Sequence, residues 1–143
     1  MKAITLTQPW ATLVAIGAKR LETRSWRTSY RGPLAIHAAK GFGSREEFVA
    51  MCRQPLFARA LVAAGFQTPA SLPLGAVVAT CQLVNVHRTE EIRDSLGEQE
   101  RAFGGYDDGR FAWELEEVRA LPVPIAARGA QQLWEWDGGP SQL

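Results

Sequence analysis

The ten residues Gly17-Ala18-Lys19-Arg20-Leu21-Glu22-Thr23-Arg24-Ser25-Trp26 join a predicted helix to a predicted strand. Apolar residues recur at helical spacing from Trp10 onward, and Gly17 is a natural helix stop. From Arg20 to Trp26 the side chains alternate as they do in extended chain. This segment connects a helix to a strand, and most of the other segments of the chain are also predicted to be strands.

Four polar or aromatic side chains cluster at this corner. Lys19 precedes the strand, and Glu22, Arg24 and Trp26 fall on one of its faces. Arg can contact a phosphate or a base edge, Trp offers a stacking surface, and Glu accepts hydrogen bonds from an exocyclic amine. This set could hold an anionic or heteroaromatic ligand. The residues alone favour a simpler interpretation, a surface ion pair between Glu22 and Arg24 with Trp26 in the core.

The rest of the chain predicts an α+β fold: a small, partly closed β-barrel of about five to six strands with flanking helices. Strands are predicted at 3–6, 33–39, 75–86 and 111–115, with one or two more between 125 and 136. Helices are predicted at 44–52, where Ser44 and Glu47 form a capping box, at 55–65 and at 89–96. Residues 97–109 contain Gly104-Gly105 and Asp108-Gly109 and are predicted to be a mobile loop.

Length and composition are those of one globular domain over residues 1–143, with a helical insertion at about 44–73. The chain has 143 residues, of which 46% are hydrophobic and 22% charged. Cys52 and Cys81 form neither a metal-type pair nor a disulfide framework. The apolar run at 10–18 is too short to span a bilayer, and Lys19-Arg20 follows it in place of a cleavage site. A cytoplasmic protein without metal or cofactor is expected.

The charges divide unevenly along the chain. Residues 1–60 carry ten Lys or Arg and three Asp or Glu, whereas residues 61–143 carry six and twelve. Thirteen of the sixteen basic residues are Arg. An Arg-rich positive half is suited to phosphate, since Arg grips phosphate with two parallel hydrogen bonds. The same division is equally compatible with two halves that pair with each other.

The pattern Gly17-x-Lys19-x-x-Glu22-x-Arg24 resembles the signature of the ASCH domain, a branch of the PUA-like superfamily. The opening Leu6-Thr7-Gln8-Pro9-Trp10-Ala11 is similar to the helix that precedes this signature, and residues 30–40 are similar to the strand that follows it. Residues 75–79 and 129–134 resemble later barrel strands. The resemblance spans almost the whole chain, and residues 44–73 are its least typical part.

This resemblance implies a cleft over the signature and an RNA- or nucleotide-related role. Its partner would be RNA, a nucleotide or nucleoside, or DNA. Some family members are associated with ribonuclease activity, and one bacterial group hydrolyses N4-acetylcytidine. In that group the signature lysine, matched by Lys19, is the proposed nucleophile or base. Its threonine partner is replaced here by Glu22, with Thr23 adjacent, and Glu100 is the best counterpart of its glutamate.

We therefore predict an RNA- or nucleotide-binding cleft around Lys19, Glu22 and Arg24. The alternatives are a metal-independent hydrolase acting on N4-acetylcytidine or RNA and, from another class, a protein-interaction module. Glu22 is expected to favour a charged Lys19, which supports binding over catalysis. Further residues that the sequence suggests for ligand contact are Gln8, Trp10, Trp26, His37, Lys40 and Tyr106.

Overall fold

The computed structural model describes residues 1–138. In chain order its elements are β1 (Lys2–Leu6), α1 (Trp10–Ala15), β2 (Leu21–Arg24), β3 (Gly32–Ala38), α2 (Arg45–Arg53), α3 (Pro55–Ala63), β4 (Ala76–Arg88), α4 (Thr89–Ile92), α5 (Glu98–Ala102), β5 (Phe111–Ala126) and β6 (Trp134–Glu135). Short 3-10 turns lie at Pro69–Ser71 and Arg93–Ser95. None of the helices in this part of the chain has the length and apolar character needed to cross a membrane.

The six strands form one mixed sheet in the order β2-β5-β4-β3-β1-β6. The β1–β3 pair is parallel, and every other neighbouring pair is antiparallel. The predicted α+β class and strand number are confirmed. The sheet of residues 1–138 is not closed, so it only approximates the expected barrel. Strand β6 pairs with β1 only at Lys2 and Ala3, which leaves the far end of β1 without a strand on that side.

Helix α1 lies between the sheet and the helical segment, and its two apolar sides belong to different clusters. Val14 joins the sheet cluster, whose members include Leu34 and Trp113. Leu13 joins a second cluster with Phe57 and other side chains of α2, α3 and the end of α5. Because α1 is fixed from both sides, the corner that follows it at Gly17 is also fixed. Gly17 adopts the left-handed conformation there, with φ of 81°.

Local signals predicted α2 well and the region after α4 poorly. Ser44 caps α2 as expected, accepting a hydrogen bond from the Glu47 N–H at 3.3 Å. The mobile loop predicted at 97–109 is partly wrong, because it contains α5. That helix is tied to the corner after α1: Gln99 donates to the Ala18 carbonyl at 3.0 Å, and Glu100 accepts from the backbone of residues 20 and 21. The turn signals Gly104-Gly105 and Asp108-Gly109 did not reveal these distant contacts.

Candidate functional site

A cavity of about 610 Å³ opens beside β2, where the chain leaves α1. We call it the signature cavity, because Lys19, Glu22, Arg24 and Trp26 all line it. Trp10 contributes from α1. The volume is typical of sites that hold one small molecule. The sheet curvature and the position of α1 thus turn a linear motif into a concave site.

Lys19 is the most buried charged side chain of this cavity, with 1% of its surface exposed. Its Nζ donates to the Phe103 carbonyl at 2.5 Å and lies 3.6 Å from Oε1 of Glu22. Burial lowers the pKa of Lys19, and the opposing carboxylates of Glu22 and Glu100 only partly offset this effect. Glu22 favours the charged form of Lys19, as expected, but burial has the larger effect. Lys19 loses its proton more easily than an ordinary lysine.

One carboxylate serves two cations in this site. The other oxygen of Glu22, Oε2, accepts from Nε of Arg24 at 2.9 Å. Nη2 of Arg24 also donates to the Thr5 carbonyl at 2.7 Å, which links β2 to the end of β1 that has no β6 partner. The ion pair of the simpler interpretation exists, but it lies inside a cavity and Glu22 is only 12% exposed at its side chain. The ion pair therefore holds Lys19, Glu22 and Arg24 together inside the cavity and is not a surface ion pair.

Trp26 and Trp10 supply apolar walls. Both are half-buried, and both line the signature cavity. Trp26 packs edge-to-face on Trp113, with ring centroids 4.8 Å apart and planes at 85°. The indole N–H of Trp113 donates to the Trp26 carbonyl at 3.3 Å. Trp26 is thus held in place by the core while part of it remains available to a ligand.

Another wall comes from residues 102–105, which fall within the segment 97–109 predicted to be a mobile loop, and from Arg110, which the sequence did not identify as part of the site. Arg110 donates to the carbonyls of Gly105 at 3.1 Å and Thr23 at 3.3 Å. A Cβ on Gly104 would lie 2.8 Å from the ring of Tyr106 and 3.2 Å from Thr23. Only glycine allows this close approach. In the sequence the Gly104-Gly105 pair predicts a mobile loop, whereas the structure uses Gly104 for close packing against Tyr106 and Thr23.

Three residues suggested for ligand contact lie elsewhere. Gln8 is 1% exposed and bonded to Thr12 and to the Pro73 carbonyl, so it is not a cavity wall. His37 and Lys40 line a different cavity, described below.

Tyr106 and Glu100 are not among the lining residues of the signature cavity. Tyr106 packs in a buried cluster with Leu21 and Ala112. Glu100 accepts the N–H groups of Arg20 at 2.9 Å and Leu21 at 3.2 Å. Its carboxylate therefore positions the corner and reaches Lys19 only through its electric field. Within residues 1–138, no group of three or more His, Cys, Asp or Glu is arranged to hold a metal ion.

Comparison with known proteins places this geometry in context. The model of the ASCH domain matches residues 4–125. "Activating signal cointegrator 1" of Mus musculus and of Homo sapiens are 24% and 25% identical to the chain over 134 residues. That match covers 94% of this chain but 22% of each relative, so the chain spans about a fifth of the length of those curated relatives.

A solved structure supports the fold. The crystal structure of ASCH from Zymomonas mobilis is 15% identical and superposes with a TM-score of 0.56. The match covers 96% of this chain and 88% of that one.

Proposed function

Because the chain belongs to the ASCH domain family, we propose that it binds RNA or a nucleotide, with one base seated in the signature cavity. The observation that carries this proposal is the combination of three charged side chains and two tryptophans around a space of about 610 Å³. Sites of this size accept a single small group, and a nucleobase needs both a stacking surface and polar partners at its edge.

The polar groups of the site keep capacity for a ligand. Arg24 uses its Nε and Nη2 in the bonds to Glu22 and Thr5, which leaves further N–H groups of its guanidinium. Lys19 uses one N–H for the Phe103 carbonyl and points another towards Glu22. The Glu22 carboxylate can accept from an exocyclic amine. Donors and an acceptor therefore lie together, as recognition of a base edge requires.

Binding is tested with a fluorescently labelled single-stranded RNA of ten nucleotides of mixed sequence, followed by anisotropy. We expect Arg24→Gln and Trp26→Ala each to weaken binding at least tenfold, since each removes a contact to the base. Arg59→Gln, which changes an exposed arginine on α3, is the matched control and should bind within twofold of the wild type. If all three variants bind like the wild type, the signature cavity is not the binding site. If the wild type binds no RNA and no nucleotide, the proposal fails and a protein-interaction role takes its place.

A second candidate, hydrolysis of an amide on a modified base such as N4-acetylcytidine or of RNA, is favoured by one observation. Burial lowers the pKa of Lys19, which increases the fraction of neutral amine at a given pH. A neutral Lys19 could add to the acyl carbon and displace the cytidine amine as the C–N4 bond breaks, with water then hydrolysing the acyl-lysine to acetate. Alternatively, it could take a proton from the water that attacks the acyl carbon and return that proton to the cytidine amine as the C–N4 bond breaks. Oε1 of Glu22, 3.6 Å from Nζ, would pair with the Lys19 ammonium. The two candidates share one cavity and differ in whether a bond is broken.

The hydrolase candidate is tested by incubating the protein with N4-acetylcytidine and following cytidine and acetate by chromatography. Cytidine release that disappears in Lys19→Met, while the Arg59→Gln control keeps it, would support catalysis. The loss should be at least a hundredfold, because methionine can neither attack nor transfer a proton. Release that is equal in wild type and Lys19→Met would exclude Lys19 as the catalyst. If no release occurs, the same experiment with labelled RNA tests strand cleavage.

A further inference from the structure

A second and larger cavity, of about 1120 Å³, lies on the other side of Thr5. We call it the Lys40 cavity. Lys40 and Arg128 line it, together with His37 and the backbone around Gly75 and Gly129. The sequence suggested His37 and Lys40 for ligand contact but did not separate them from the signature, because the other walls come from the end of β5 and from the segments before β4 and β6.

The charge of the Lys40 cavity is unbalanced. No Asp or Glu is among its lining residues. Lys40 and Arg128 are exposed, and neither forms an ion pair within residues 1–138. In the signature cavity, by contrast, Glu22 partly neutralises the cations. Two unpaired cations around an open, concave surface create a positive potential that attracts an anion.

The floor of the Lys40 cavity is preorganised. His37 is 2% exposed, and its ring nitrogens contact the Ala127 carbonyl at 2.7 Å and Thr5 Oγ1 at 3.2 Å. Trp134 packs edge-to-face on the same ring at 5.3 Å. The chain at Gly129 lies directly on this floor, since a Cβ there would be 2.7 Å from both Thr5 Oγ1 and His37 Cε1. The cavity is therefore built into the fold and does not depend on surface side chains alone.

Thr5 connects the two cavities, because it lines both of them. Its carbonyl accepts from Arg24 on the side of the signature cavity, at 2.7 Å. Its hydroxyl contacts His37 and Trp134 on the side of the Lys40 cavity, at 3.2 and 3.0 Å. The two cavities are therefore neighbours that share one lining residue. A ligand group in the Lys40 cavity would have to be anionic to match Lys40 and Arg128.

Because the two cavities share Thr5, we propose that the Lys40 cavity binds the phosphate that follows the base seated in the signature cavity. The proposal rests on the proposed function and makes it more specific: the ligand is a nucleoside that carries a phosphate, and in its full form a single-stranded oligonucleotide rather than a free nucleoside. A phosphate can come from a mononucleotide or from a polynucleotide backbone. Both share the chemistry that two lysine or arginine side chains recognise.

The experiment compares affinities for cytidine, cytidine 5′-monophosphate, cytidine 3′-monophosphate and a single-stranded RNA of ten nucleotides, by calorimetry and anisotropy over a range of salt concentrations. The double variant Lys40→Ala/Arg128→Ala is compared with Arg59→Ala/Arg119→Ala. Both remove two exposed cations, but Arg59 and Arg119 line neither cavity. Net charge, and hence general attraction to RNA, changes equally in the two variants.

Loss of two phosphate contacts to a single strand should reduce the slope of log K against log salt by about 1.4. In 0.1 M salt this corresponds to about 25-fold weaker RNA binding. We expect that loss in Lys40→Ala/Arg128→Ala and a change below about threefold in the control, with cytidine affinity unchanged in both. A preference for one monophosphate over cytidine, removed by the same variant, identifies the side of the sugar from which the phosphate enters.

Two results would overturn the proposal. If RNA binding depends on Arg24 and Trp26 but the Lys40/Arg128 variant behaves like its control, the phosphate site is wrong and the base site stands. If neither RNA nor cytidine binds, the proposed function fails and the phosphate site fails with it. Unfolding is excluded as a cause by requiring that both double variants keep the thermal midpoint of the wild type.

Discussion

Replacing Glu22 by glutamine changes the charge of the signature cavity while nearly keeping its shape. The carboxylate lies 3.6 Å from Nζ of Lys19 and 2.9 Å from Nε of Arg24. In Glu22→Gln, Lys19 stays 1% exposed and has no ion-pair partner within residues 1–138. Arg24 is affected less, because 23% of its side chain is exposed to water.

The expected loss follows from the burial of Lys19. Removing one partner of a buried ion pair costs about 3–5 kcal/mol in the free energy of unfolding. Lys19 can limit this cost by losing its proton. For a lysine with an ordinary pKa of 10.5, deprotonation at pH 7 costs about 5 kcal/mol. Burial already lowers the pKa of Lys19, so its own cost is smaller. We expect Glu22→Gln to lose about 3 kcal/mol at pH 7.

The pH dependence gives this prediction its direction. The pKa of Lys19 is lowered in the folded protein, so between that lowered value and 10.5 the unfolded chain holds a proton that the folded chain has lost. Stability therefore rises with pH across this window. Glu22→Gln lowers the pKa further. The part of the loss in unfolding free energy that comes from Lys19 is greatest below the pKa that Lys19 has in the variant. It disappears as the pH rises to the pKa that Lys19 has in the wild type.

The assay is urea unfolding of the wild type, Glu22→Gln, Lys19→Met and the double variant, at pH 7 and pH 10.5. We expect the loss of unfolding free energy in Glu22→Gln to fall from about 3 kcal/mol at pH 7 to about 1 kcal/mol at pH 10.5, the remainder belonging to the partly buried pair with Arg24. In the Lys19→Met background it should be about 1 kcal/mol at both pH values. The matched control is Glu135→Gln on the surface, whose carboxylate pairs with Lys2 at 2.9 Å and should give no measurable change. A deficit that is independent of pH, or that persists undiminished with methionine at position 19, would refute the charge coupling.

Three further predictions concern the scaffold. Gly129→Ala should lower the free energy of unfolding by about 1–3 kcal/mol in urea, because its Cβ would lie 2.7 Å from Thr5 Oγ1, whereas Gly41→Ala, with nothing within 4 Å, should be neutral. Burial raises the pKa of the Cys81 thiol to about 12, so at pH 8 a disulfide reagent should react with it only after unfolding; rapid reaction of the native protein would contradict its burial. Ser44→Ala should cost about 1 kcal/mol by thermal denaturation, since it removes the cap of α2, and an unchanged midpoint would show that the cap contributes nothing.

Local signals in the sequence were sufficient for one side of the site. Lys19, Glu22, Arg24 and Trp26 lie within eight residues, and the helix stop at Gly17 followed by a strand was enough to group them. Their spacing alone did not decide between a surface ion pair and a cavity. That choice depends on the curvature of the sheet and on α1, which the pattern of one segment does not encode.

The other side of the site depends on pairing between distant parts of the chain. Glu22 lies opposite Trp113 because β2 pairs with β5, and this pairing brings residues 103–105 and Arg110 to the cavity. No local signal gives that register. The burial of Lys19 could not be predicted for the same reason. The sequence shows the neighbouring Glu22, whereas the Phe103 carbonyl that accepts from Nζ and the burial that lowers the pKa of Lys19 depend on the fold.

The distance along the chain between Lys19 and its carbonyl partner also determines when the site can form during synthesis. Phe103 lies 84 positions after Lys19. At a synthesis rate of about 5–20 residues per second, roughly 4–17 s pass between the two. Until then β2 lacks its partner strand, and Lys19 is a hydrated lysine with an ordinary pKa. The signature cavity can therefore form only after residues 102–105 and Arg110 have been synthesised and β5 has paired with β2.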